Sequence, residues 1–152
     1  MNVSEKPSIA SLESLIVKDL LPAGNICNLL GALKYGLDLF WIGIYEAIDD
    51  ETLHLSYFQG LPACTQIAFG KGVCGTAAET QMTQIVNDVS TFPGYIACHE
   101  EAKSEIVIPF INHNGHCKFV LDVDAAEIGY FNESDIEYWQ DIVQLFANQL
   151  LR

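Results

Sequence analysis

The spacing of apolar residues changes twice along this chain, and that change most restricts the folds open to it. Between residues 8 and 22, Ile9, Leu12, Leu15, Ile16 and Leu20 recur at helical spacing, and Pro22 and Gly24 read as the end of that helix. Asn25 is placed to cap a second helix with Ile26, Leu29, Leu30, Leu33 and Leu37 on one face. At Trp41 the pattern becomes strand-like. WIGIYEAI (41–48) and LHLSYFQ (53–59) flank Asp49-Asp50 and read as a hairpin. TQIVND (83–88) is a short strand. SEIVIPFIN (104–112) and HCKFVLDVDA (116–125) flank Asn114-Gly115, a strong hairpin-turn pair. Helical spacing returns after Asn132, which caps a last helix carrying Ile136, Trp139, Ile142, Val143, Phe146 and Leu150 on its apolar face. A chain with both patterns needs a sheet and helices to cover it. The expected class is α+β, a mostly antiparallel central sheet with the N- and C-terminal helices packed on one face.

At 152 residues the chain is one domain, 1–152, with no repeat, low-complexity tract or linker. Half of it is hydrophobic, enough for a packed core. Seven basic residues against twenty acidic ones give a net charge of −13. Nucleic acid and anionic membranes need a basic footprint and are poor partners. A cationic or zwitterionic ligand suits this charge, which also serves solubility. MNVSEKPSIASLE lacks the pattern of a secretion signal, and no apolar run reaches the roughly 18 residues of a membrane span, so a cytoplasmic location is expected. Five cysteines, an odd number, then do not read as a disulfide framework. With no CxxC pair, their spacing does not read as a metal site either. Catalytic or redox thiols, or buried apolar ones, remain.

Three of the cysteines lie in Gly- and Pro-flanked loops: Cys64 in PACT, Cys74 in GVCGT and Cys98 in GYIACHE. An acidic run follows Cys98 at once. A thiolate beside carboxylates is electrostatically unfavourable, so their proximity suggests that the chemistry needs both. Read from the residues alone, Cys98 is divided evenly between a reactive thiol and a buried apolar one. Asp122 and Asp124 point to one face of their strand, with Leu121 and Val123 on the other. If 104–112 pairs with 116–125, Glu105 comes near them. Such a cluster either binds an ammonium group, with one carboxyl protonated, or is a solvated strand face. Trp41 and Tyr45 are core aromatics or pocket walls. Backbone N–H groups at Gly72, Val73 and Gly75, at a helix start, offer a carboxylate site.

The order helix–helix–hairpin–loops–hairpin–helix resembles a GAF domain. WIGIY (41–45), FQG (58–60), ACTQIAFGKGVCGTA (63–77), VND (86–88), FPGYIAC (92–98), SEIVIP (104–109) and VLDVDA (120–125) together resemble the free methionine-(R)-sulfoxide reductase family. That resemblance implies a stand-alone GAF domain that reduces the sulfoxide of free methionine, without cofactor or metal. It makes Cys98 the nucleophile, Cys64 the resolving thiol and Cys74 the family's third cysteine. Trp41 and Tyr45 become the aromatic pocket around the substrate methyl. Glu105, Asp122 and Asp124 become the ammonium site and proton source. It further implies thioredoxin as reductant and a homodimer. Tyr95 stands where His is common, His99 where Asp is, Phe119 for Gly and Ala125 for Ser. Cys27 and Cys117 have no counterpart and are filler. Two other readings stay open: a non-catalytic GAF sensor of a small ligand, and a thiol redox sensor.

Overall fold

The computed structural model describes residues 6–151. Its elements are α1 (Ile9–Glu13), α2 (Pro22–Gly36), β1 (Trp41–Ala47), β2 (Thr52–Gln59), β3 (Gln66–Ala68), α3 (Gly72–Thr80), β4 (Gln84–Val86), β5 (Ser104–Ile111), β6 (Cys117–Ala125) and α4 (Ile136–Leu150). The six strands form one sheet in the order β3-β2-β1-β6-β5-β4, and every neighbouring pair is antiparallel.

The two-residue period of the strands divides the core into two. Ile42 and Ile44 of β1, Ile106 and Ile108 of β5, and Phe119, Leu121 and Val123 of β6 face α2 and α4. Trp41 and Tyr45, Val107, and Val120 face the other way, toward α3. The apolar stripes read for α2 and α4 supply Ile26, Leu30, Leu33, Trp139, Ile142 and Phe146 to the first core, all but fully buried. Each such side chain contributes roughly 1.5–3 kcal/mol of burial. Phe119 fits this layer by stacking on Phe110, with ring centroids 5.3 Å apart.

Four local expectations are corrected. The helix expected over 8–22 is confined to Ile9–Glu13, and Leu20 is exposed. Pro22 opens α2 rather than closing its predecessor, because a proline lacks only an N–H that a first helical turn leaves unpaired anyway. Asn25 is therefore inside α2, not its cap. It is buried there, accepting from the Val17 N–H at 3.0 Å and donating to Val17 O and Gln149 Oε1, both at 2.9 Å. That residue fastens the preceding turn to α4. Asn132 does cap, but its reciprocal box with Asp135 encloses a short 3₁₀ turn, Glu133–Asp135, which leads into α4.

The segment 60–80, expected to carry Cys64 and Cys74 in loops, holds β3 and α3. Only the start of that helix, at residues 72–75, is legible in the sequence, because the helix has no large apolar stripe. Its buried residues are Gly72, Val73, Cys74, Gly75, Ala77 and Ala78, small enough for close approach to the sheet. At Gly75 an added Cβ would lie 2.3 Å from the carbonyl oxygen of Ala68, so α3 rests directly on the backbone of β3.

Candidate active site

The site lies on the α3 face of the sheet. β6 projects Asp122 and Asp124 there. β5 places Glu105 directly opposite Asp124, and β1 places Trp41 opposite Asp124 on the other side. Cross-strand partners sit about 4.5–5.5 Å apart, so the Asn114-Gly115 hairpin register is what assembles the acidic cluster. α3 brings Cys74 over it, and the segment between β4 and β5 brings Tyr95, Ile96, Cys98 and His99. Together these residues line one concave, partly open space. Seven of the eight candidate residues line it. The eighth, Cys64, is not part of the lining but lies near enough to Cys98 to shift its pKa.

Trp41 and Tyr45 do more than wall the cavity. The Trp41 indole donates to Leu61 O at 2.9 Å and the Tyr45 hydroxyl to Cys64 O at 2.9 Å. His99 Nε2 lies 2.8 Å from Pro62 O. A carbonyl only accepts, so that nitrogen carries the proton. Three side chains of the cavity thus hold three carbonyls of the Cys64 loop. The Trp41 ring occupies a slot between two glycines. An added Cβ would come within 2.2 Å of it at Gly43 and 2.4 Å at Gly60, where φ is +138°. We expect Gly43→Ala to destabilise the fold by about 1–3 kcal/mol through overpacking. Urea unfolding checks this, and a raised KM should accompany it if the displaced ring intrudes on the cavity.

Every acidic group here is pushed toward its protonated form. Burial, then repulsion from Asp122 and Asp124, holds Glu105 well above the usual carboxylate range. Burial, then Asp122, does the same to Asp124. Burial also raises Asp122, against hydrogen bonds from Glu105 and Cys74 and the nearby His99. Asp122 Oδ1 nevertheless has no hydrogen-bond partner. Cys74 is raised strongly by burial and by Asp122 and Glu105. Cys98 is pushed up to about 12 by burial and its contact with Cys64, with Asp122 adding to it. Lys71 and His99 line the same cavity, and His99 favours the charged form of Asp122. Burial and mutual repulsion thus favour the protonated forms of the acidic groups at rest.

Sequence reasoning singled out Tyr95 and His99 only as departures from a pattern. Ile96 it missed altogether. Ile96 packs over Gly72, 3.0 Å from an added Cβ, and covers the start of α3. Nothing in an isolated isoleucine between Tyr and Ala marks such a role. The Gly75 N–H proposed for carboxylate binding is already donated to Lys71 O. Gly72 and Val73 open α3 without a side-chain cap and both line the cavity. Cys27 is exposed, while Cys117 is buried and donates its thiol to Phe119 O, remote from the cavity.

The GAF domain family model matches residues 24–150. A free methionine-R-sulfoxide reductase of Saccharomyces cerevisiae is 43% identical over 130 residues, spanning 79% of this chain and 72% of the yeast protein. GAF domain-containing protein A of Dictyostelium discoideum is 41% identical over 140 residues, spanning 92% and 88%. Among solved structures, the free methionine-R-sulfoxide reductase of Neisseria meningitidis, in complex with its substrate, superposes with a TM-score of 0.84 at 35% identity, covering 93% of this chain and 84% of that one. The chain belongs to the GAF-domain family and, within it, to the free methionine-R-sulfoxide reductase family. The fold expected from the resemblance is thereby the fold observed. Among the described residues no helix is long and apolar enough to cross a membrane.

Proposed function

We propose that this chain acts as a single GAF domain reducing free L-methionine (R)-S-oxide to L-methionine, with Cys98 as nucleophile. The observation that carries this is a thiol pair, Cys98 and Cys64, set against three buried carboxyl groups whose pKa values are raised. Sulfoxide reduction needs a sulfur nucleophile and a proton for an oxygen that otherwise leaves badly. The substrate's ammonium group fits the acidic cluster. Its positive charge lowers the free energy of a Cys98 thiolate, so the substrate arms its own attack.

The Cys98 sulfur attacks the sulfoxide sulfur while a carboxyl of the cluster protonates the sulfoxide oxygen, and the thiol proton restores that carboxyl. The oxygen ends on Cys98 as sulfenic acid, and methionine departs. The Cys64 sulfur then displaces that oxygen as water, forming a Cys64–Cys98 disulfide. A dithiol protein, thioredoxin by family resemblance, reduces the disulfide. Trp41 and Tyr45 wall the methyl side, and the N–H groups of Gly72 and Val73 suit the substrate carboxylate. Cys74, buried against Asp122, is the reserve partner for a disulfide.

The deciding experiment supplies each separated epimer of free methionine sulfoxide with thioredoxin, its reductase and NADPH. Methionine release from the R epimer alone is expected. No release from either epimer, with dithiothreitol also failing, would leave a ligand sensor. Replacing Cys64 by serine should preserve a burst of one methionine per protein and slow steady turnover at least about tenfold, since only recycling loses its thiol. Rapid-quench measurement separates the two phases, and loss of the burst would assign Cys64 to the first step.

A further inference from the structure

We propose that the reduced cavity is also a binding site for a borderline-soft divalent cation of the Zn²⁺ type, held by Cys74, Glu105 and Asp122. The spacing of the cysteines argued against a metal site, but the fold assembles a donor set that spacing does not reveal. One donor atom from each of the three side chains lies within 4.8 Å of the other two. The donors come from α3, β5 and β6, so each is fixed by a different element. All three are buried, Asp122 with only 7% of its surface exposed. Its unpartnered Oδ1 belongs to a residue lining the cavity, so a buried acceptor is left without a donor. A buried polar atom in that state requires a ligand, a water or a cation.

The donor chemistry selects the ion. Thiolate with two carboxylates suits Zn²⁺, whereas Mg²⁺ and Ca²⁺ prefer oxygen alone. Donors around tetrahedral zinc lie roughly 3.3–3.7 Å apart, given bond lengths of about 2.0–2.3 Å, so a closure of about 1 Å suffices. Binding releases the Cys74 thiol proton and any carboxyl proton to solvent, with no change of oxidation state. A fourth position stays open for water. The cation would take the carboxylates on which the substrate ammonium depends. Binding itself stands apart from the reductase reading. The consequence, reversible inhibition competitive with methionine sulfoxide, rests on that reading.

The test titrates the full-length reduced protein with Co²⁺ under argon and follows the thiolate-to-cobalt charge-transfer band. One equivalent should saturate it, Zn²⁺ should displace it and excess Mg²⁺ should not. Cys74→Ser should abolish the band. Asp122→Asn should weaken binding by at least the roughly ten- to hundredfold typical of a disturbed metal site. The double variant Cys64→Ser, Cys98→Ser should keep the band, which guards against a Cys74 variant that fails to fold. A band that survives in folded Cys74→Ser, or disappears in the double variant, overturns the proposal. Cobalt binding without a thiolate band also overturns it. A Cys74-dependent band in a protein with no sulfoxide turnover would refute the reductase reading alone. Turnover unaffected by saturating Zn²⁺ would refute the competition.

Discussion

Cys98→Ser is expected to lower kcat/KM for methionine-(R)-sulfoxide by about 10⁴-fold or more, the scale on which losing a covalent nucleophile acts. A serine hydroxyl is a far weaker nucleophile toward sulfur and has no sulfenic acid to pass on. The substitution is nearly isosteric and leaves the acidic cluster untouched. Calorimetric affinity for the substrate should therefore stay within a few-fold of wild type while methionine release disappears. Residual turnover of more than a few per cent would reassign the nucleophile, with Cys74 the next to test. A companion expectation concerns reactivity at rest. With its pKa near 12, Cys98 should react slowly with iodoacetamide at neutral pH, and its rate should climb as pH rises toward that value. Bound substrate would accelerate thiolate formation if the ammonium group acts as proposed.

Asp124→Asn is expected to raise KM or lower kcat by at least about tenfold, and to stabilise the protein at the same time. The sign of the second effect follows from proton linkage. Burial and Asp122 raise the folded-state pKa of Asp124 well above its value in the unfolded chain. Between those two values the folded state binds more protons than the unfolded one, so stability falls as pH rises through the window. The window opens near the ordinary aspartate pKa of about 4 and extends upward. Asparagine removes the titration. The gain in Tm over wild type should therefore be small near the bottom of the window and grow toward neutral and alkaline pH. Unchanged kinetics would remove Asp124 from the site, and a Tm difference flat with pH would show that Asp124 does not titrate in this way.

The pattern of that cluster was the most legible part of the chain. A period of two placed Asp122 and Asp124 together, opposite Leu121 and Val123, and the structure keeps those faces. The hairpin at Asn114-Gly115 brought Glu105 near, and the register makes it the direct partner of Asp124. β1, β2, β5, β6, α2 and α4 were readable because each has at least one apolar side of large residues. α3 was legible only at its start, since Gly72, Cys74, Gly75 and Ala77 bury through smallness rather than through hydrophobic contrast. The first turn after α1 misled because Pro22 begins one helix as readily as it ends another. The hold on Leu61, Pro62 and Cys64 was invisible for a different reason. Its acceptors are backbone carbonyls, which every residue has. The meeting of Cys64 with Cys98 depends on two loops, and no period governs a loop.

Both margins of the sheet are strands of three residues, β3 and β4. An edge that short offers a neighbouring molecule few free N–H and C=O groups to extend. The long, strongly apolar strands β1 and β6 lie inside and are paired on both sides, while β5 is covered on its outer side by β4 at Glu105, Ile106 and Val107. Strand-by-strand growth into fibrils from β1 or β6 would have to begin by stripping away an outer strand. The folded protein should therefore withstand concentration far better than a partly unfolded one in which β1 or β6 has become an edge.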